Sequence, residues 1–249
     1  MGDKKKDFLR SRHSMLPKGI LIDLDDTIIA YSQVAEPIWR KVCVDFAGRI
    51  DSMNPEKLFQ AIHNVSFWYW SDRERHKTGR RDLNSARRLI VMQAVRELGI
   101  NNLSFAREIA DAFSVQREEG IYLFEKAEEA LEYLTAQNIS LAMMTNGEAQ
   151  KQRNKIKRFN LERFFKSILI EGELGFGKPE EQVYKRALNE LGLGPDEVWA
   201  VGDNLEFDVG APQKLGIFGI WNDFSKQGLP PNSEIIPDRI IHDISELVE

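Results

Sequence analysis

Cysteine is almost missing from this chain. Cys43 stands alone, which excludes an internal disulfide framework and suits a reducing compartment. Long apolar runs are missing too, and none approaches the roughly 18 residues that a membrane span needs. The opening "MGDKKKDFLRSRHSMLP" lacks the apolar centre of a secretory leader. It reads as a polar arm, residues 1–17, with Met15 as an alternative start. A basic excess is also absent: the net charge is −5, which argues against a nucleic-acid partner. No repeat and no low-complexity tract interrupts the 249 residues. These absences lead to the expectation of a cytoplasmic globular protein with no membrane partner. Its length suits one large domain, or a core with a smaller insertion.

What the chain does have is alternation. Short apolar runs fall at Ile20–Leu24, Ile139–Thr145, Ser167–Ile170, Val198–Val201 and Ile217–Trp221, and a last short strand is expected near Asp238–Ile241. Helical patterns separate most of them. Ala127, Ala130, Leu131 and Leu134 form one helix face, and Val183, Ala187, Leu188 and Leu191 form another. Apolar strands alternating with amphipathic helices predict an α/β fold, a Rossmann-like parallel sheet with helices on both faces.

The stretch from 33 to 115 breaks the alternation. It shows helical periodicity and no convincing strand, through Val34, Ile38, Trp39, Val42 and Phe46, then Leu83, Ala86, Leu89, Ile90 and Leu98, then Phe105, Ile109 and Phe113. One helix suffices for a crossover between neighbouring strands. Several predict an inserted α-helical cap over residues 33–115, with 18–32 and 116–249 forming the α/β core. Ligands in open α/β sheets bind at the carboxyl ends of the strands, so the cap is placed as a lid over the end of the first strand.

That end reads "GILIDLDDTII". Asp23, Asp25 and Asp26 put three carboxylates into four positions. One Asp there is an ordinary turn residue. Three repel one another unless a cation or a proton resolves the charge. Three other strand ends supply partners. "LAMMTNG" places Thr145 and Asn146 where a hydroxyl, an amide and free backbone N–H groups make an anion site. "GELGFGKPEEQVY" presents Lys178 after a glycine-rich turn, with Pro179 expected at the first position of a helix. "VWAVGDNLEFD" brings Asp203, Asn204 and Asp208, and its carboxylates can complete a hard oxygen site for Mg²⁺.

Carboxylates, hydroxyl and amide, lysine, carboxylates: in that order, "DLDDT", "TNG", "GKP" and "GDNLEFD" resemble the four motifs of the haloacid dehalogenase superfamily, from Lys18 to about Trp221. The insertion between the first two motifs resembles the helical-cap subgroup. "MTNGEAQKQRNKI" is most similar to the N-acylneuraminate-9-phosphatase and house-cleaning nucleotidase branch. The resemblance implies Asp23 as nucleophile, forming an aspartyl-phosphate, and Asp25 as general acid and then base. It implies Mg²⁺ held by Asp23, by the backbone carbonyl of Asp25 and by Asp203, with Asn204 and Asp208 orienting that site. Thr145, the backbone near Asn146 and Lys178 would bind phosphoryl oxygens. The implied activity is Mg²⁺-dependent hydrolysis of a small soluble phosphomonoester, with a phosphomutase or a non-catalytic phosphate-binding protein as alternatives. Asp25 favours an ester over a haloacid, because an alkoxide needs a proton and a halide does not. Asp26 departs from the family's usual Gly, a mild change, since Asp tolerates left-handed backbone.

In the cap, residues 72–88 hold seven Lys or Arg against three Asp or Glu, just after Phe67, Trp68, Tyr69 and Trp70. Trp68 or Trp70 could stack on a substrate ring, and Arg73, Arg75, His76, Arg80 or Arg81 could meet a second anion. The competing reading is a solvated helix over packed aromatics. The basic run from Lys151 to Lys166 reads as an exposed helix face with no function.

Overall fold

The computed structural model describes residues 16–50 and 53–248, so the expected polar arm lies outside the described residues apart from Leu16 and Pro17. The chain runs through β1 (Gly19–Ile22) and β2 (Ile29–Ala30), then five helices: α1 (Ala35–Ala47), α2 (Pro55–Trp70), α3 (Arg73–Gly79), α4 (Leu83–Glu97) and α5 (Leu103–Gly120). It returns through β3 (Tyr122–Leu123), α6 (Ala127–Ala136), β4 (Ser140–Thr145), α7 (Ala149–Arg158), β5 (Ser167–Ile170), α8 (Glu171–Leu174) and α9 (Glu181–Leu191). β6 (Val198–Gly202), β7 (Phe218–Asn222) and β8 (Arg239–Ile241) finish the sheet. Six strands pair in the order β5-β4-β1-β6-β7-β8, all parallel. The fold is the α/β one that the alternation predicts.

Side-chain alternation explains why the sheet is buried twice. Ile20, Ile22, Leu141 and Met143 point to one face and pack with Ala127, Ala130, Leu131 and Leu134 of α6. Leu21, Ala142 and Met144 point to the other and meet Val183, Ala187, Leu188 and Leu191 of α9. β1 is central, flanked by β4 and β6. The loops after these three strands and after β5 therefore open at one edge, where the four motifs meet.

β1 ends at Ile22, short of the expected Leu24. The chain turns instead through Asp26, whose φ is 60°. Asp26 Oδ1 accepts hydrogen bonds from Tyr31 N (2.9 Å) and Ser32 N (2.7 Å), which pins this turn to the start of the helical segment. β2 and β3 form an antiparallel ribbon that carries the chain out to the helices and back.

The five helices have their own apolar core, with Val42, Leu58, Ile62, Ile90, Ala94, Phe105, Ile109 and Phe113 buried together. α5 runs to Gly120, past the expected boundary at 115. Leu89, expected on the buried face of α4, is half exposed. Ala86, Ile90 and Ala94 set the buried stripe, and Arg87 and Val91 lie beside them in it. No helix among the described residues is long and apolar enough to cross a membrane.

Candidate active site

Asp23 follows β1 directly and is anchored by its backbone N–H to Val201 O at 2.9 Å. Its carboxylate lies 2.6 Å from Lys178 Nζ, and the same ammonium lies 2.7 Å from Asp208 Oδ1. All three side chains are buried. Lys178 is held by Asn146: Lys178 N donates to Asn146 Oδ1 (2.9 Å), and Asn146 Nδ2 donates to Lys178 O (2.7 Å). The Asn146 side chain thus braces the lysine. Pro179 precedes the helix rather than opening it, since α9 starts at Glu181.

Two glycines let these loops approach. A Cβ on Gly177 would sit 2.4 Å from Asn146 Oδ1, and one on Gly202 would sit 2.2 Å from Asp208 Cγ. Asp208 rides a π-helical turn, Leu205–Gly210, capped by Asn204, whose side chain accepts from Glu206 N (3.1 Å) and Phe207 N (3.0 Å). Asn204 therefore shapes the turn, and its backbone N donates to Asp208 Oδ2 at 3.0 Å.

Oxygens of Asp23, Asp203 and Asp208 lie within 4.8 Å of one another. Burial, then the charges of Asp23, Asp208 and Asp26, push the Asp203 carboxyl up to about 9. Burial pushes Asp23 up to about 7 against the opposing pull of Lys178. Burial also opposes the charge on Lys178, but Asp208 and Asp23 outweigh it and raise that ammonium. Buried carboxylates crowded this closely are a donor set suited to a hard divalent cation. Mg²⁺ fits the oxygen-only chemistry.

Asp25 faces the other way. Lys155 Nζ of α7 bridges both its oxygens at 2.8 and 2.9 Å, and Gln152 Nε2 donates to Oδ2 at 2.9 Å and to Thr145 Oγ1 at 2.5 Å. Burial works against the Lys155 charge, yet Asp25 and Tyr31 raise its pKa overall. Lys155 and Gln152 lie in the basic run that the sequence reading left without function. Their signal was present: Ile156, apolar in an otherwise polar helix, marks the buried face that Gln152 and Lys155 share.

A cavity of about 660 Å³ opens above these groups, walled by the helices. Trp70, His76 and Arg80 line it, while Trp68, Arg73 and Arg75 do not. Trp68 lies two residues, some 200° of helix, from Trp70, and so points outward. Arg75 stacks on it with Cζ 3.8 Å from the ring centroid and donates to Trp68 O at 2.8 Å. Arg73 is exposed at the start of α3. Arg80 reaches the core instead: its Nη2 meets Glu171 Oε1 at 2.8 Å, and Glu171 also accepts from Gly147 N at 3.1 Å.

Comparison with known proteins gives the family. Residues 17–216 match the haloacid dehalogenase-like hydrolase family. The chain belongs to that family. A phosphoserine phosphatase from Thermus thermophilus is 31% identical over 92% of this chain and 97% of its own length. A glyceraldehyde 3-phosphate phosphatase from Methanopyrus kandleri is 26% identical over 93% and 96%. The human N-acylneuraminate-9-phosphatase is 30% identical over 44% of each chain. Among solved structures, a magnesium-bound HAD-hydrolase from Bacillus subtilis superposes with a TM-score of 0.72 at 22% identity, covering 94% of this chain and 97% of that one. This haloacid dehalogenase-like hydrolase thus shares its fold with that protein over nearly its whole length.

Proposed function

We propose that this hydrolase is a Mg²⁺-dependent phosphatase that cleaves a small phosphomonoester through an aspartyl-phosphate on Asp23. The observation that carries the reading is the division of labour between two carboxylates at one strand end. Asp23 is clamped by Lys178, and Asp25, two residues on, is held apart by Lys155 at the cavity. Relatives named as phosphatases of phosphoserine and of glyceraldehyde 3-phosphate support the same class.

In this mechanism the Asp23 carboxylate attacks phosphorus, and the bond to the leaving oxygen breaks as Asp25 gives that oxygen a proton. Asp25 then takes a proton from water as the water attacks the acyl phosphate. Inorganic phosphate leaves and Asp23 is restored. Lys178 and Thr145 hold the phosphoryl oxygens, the positioning on which phosphoryl transfer mainly depends. Asp23, Asp203 and the Asp25 carbonyl would hold Mg²⁺, with Asp208 alongside, and the bound ion offsets carboxylate charge next to an anionic ester. Residues 33–115 act as a cap that shields the ester from bulk water.

Phosphate release from a panel of phosphomonoesters, with and without Mg²⁺, tests the proposal. Release should need Mg²⁺ and vanish in Asp23→Asn. A folded, Mg²⁺-binding protein that releases no phosphate from any ester would overturn it.

A further inference from the structure

The cations that line the cavity fall into two groups. Lys178 meets Asp23 at 2.6 Å, Lys155 meets Asp25 at 2.8 Å, Lys151 meets Glu148 at 3.2 Å and Arg80 meets Glu171 at 2.8 Å. Arg87 of α4 and Arg117 of α5 have no such partner: among the described residues no carboxylate lies within ion-pair distance of either. Arg87 is 4% exposed. It is steadied by neutral groups, donating to Ser114 Oγ (3.0 Å) and Tyr31 Oη (3.3 Å). Arg117 stacks on the Tyr31 ring, Cζ to centroid 3.7 Å, and donates through Nη2 to Tyr31 O (3.1 Å), while its Nε is buried without a hydrogen-bond partner. A buried guanidinium with no carboxylate in contact is costly unless a ligand supplies one. Burial accordingly weakens the hold of Arg87 on its proton.

Tyr31 fixes where such a ligand would sit. Lys155 Nζ, which holds Asp25, lies 3.8 Å from the centroid of the same ring that Arg117 covers and whose hydroxyl Arg87 touches. The two arginines therefore stand one phenol ring away from the lysine that holds Asp25. We propose that Arg87 and Arg117 form a second anion subsite, and that the leaving group of the substrate carries a carboxylate a few bonds from its ester oxygen. Glu118, which bears electrostatically on both Arg87 and Lys155, leaves the trio Arg87, Arg117 and Glu118 with one net positive charge. A carboxylate balances that charge, whereas a second phosphate dianion would overshoot it. Guanidinium forks match the planar carboxylate.

This inference rests on the phosphatase reading for the chemistry but not for the binding, so its test separates the two. Calorimetry on Asp23→Asn protein would compare the phosphate ester of a short hydroxy acid with the methyl ester of the same compound. The free carboxylate should bind at least about tenfold more tightly, the scale of a charge-assisted hydrogen bond. Adding Arg87→Gln or Arg117→Gln should bring the two affinities together. In otherwise wild-type protein the same arginine changes should raise KM for the carboxylate ester and leave the methyl ester within a few-fold. Equal or absent binding of the pair, or tighter binding of a bisphosphate, would overturn the subsite. The ligand pair decides even if an arginine variant fails to fold. Carboxylate-dependent binding without phosphate release would uphold the subsite and sink the phosphatase.

Discussion

Lys178 neutralises two buried carboxylates at once, so its loss leaves both exposed to each other. In Lys178→Met, urea denaturation with chelator present should show a loss of about 3–5 kcal/mol, the usual cost of breaking a buried pair on one side. Added Mg²⁺ should narrow the gap. Lys155 acts on Asp25 alone. Lys155→Met should lower kcat about tenfold to a hundredfold for alkyl phosphates, and much less for an ester whose leaving group needs no proton, such as a nitrophenyl phosphate. Equal losses on both esters would show that Lys155 does not serve the proton transfer. The residues at strand ends were legible in the sequence, because three clustered carboxylates, a lysine after glycines and a second acidic pair have few other uses. Lys155, Gln152, Arg87 and Arg117 were not. Each lies on a helix where charge hides which face is buried, and only contacts across the chain show what the face meets. Asp26 is suited to positive φ, as its residue type predicts, but the two hydrogen bonds its carboxylate accepts from Tyr31 N and Ser32 N depend on how the chain folds back, which residue type does not announce.

Helices and strands differed in how plainly they announced themselves. The sheet strands could be read because residues buried on both faces make continuous apolar runs. The ribbon β2–β3 could not, since two residues a side carry no period. Leu89 was assigned to the wrong face because several apolar residues on α4 allow more than one stripe. Within the helical segment, α2 starts at Asn54, whose side chain accepts from Glu56 N at 2.8 Å and Lys57 N at 3.4 Å ahead of Pro55. Asn54→Ala should cost about 1 kcal/mol in chemical denaturation while leaving turnover unchanged, because the cap lies away from the cavity. A change in KM would instead tie the start of α2 to the substrate. Gly202→Ala should do the reverse. Its Cβ would displace Asp208 and, through it, Lys178, so activity should fall far more than the modest ~1–3 kcal/mol typical of overpacking.

Over the whole molecule, the acidic cluster links stability to pH and to metal. The unfolded chain releases carboxyl protons near 3.9, whereas the metal-free fold keeps them on Asp23 and Asp203 up to about 7 and about 9. The folded state then binds more protons than the unfolded one, so stability falls as pH rises between roughly 4 and 9. The raised Lys178 adds no slope there, because both states hold its proton below pH 10. Thermal melts in chelator should decline from pH 5 to pH 9, and the gain in Tm on adding Mg²⁺ should grow over the same range. A flat profile in chelator would show that the carboxylates are not under strain. The ribbon bears on a different question. Because β2 and β3 run side by side, the outgoing and returning chain pass through the core surface at neighbouring points, and the separation of those points does not depend on how much chain lies beyond them. The helical segment thus hangs from the core by two adjacent short strands, so a change in its length need not move the strand ends beneath it.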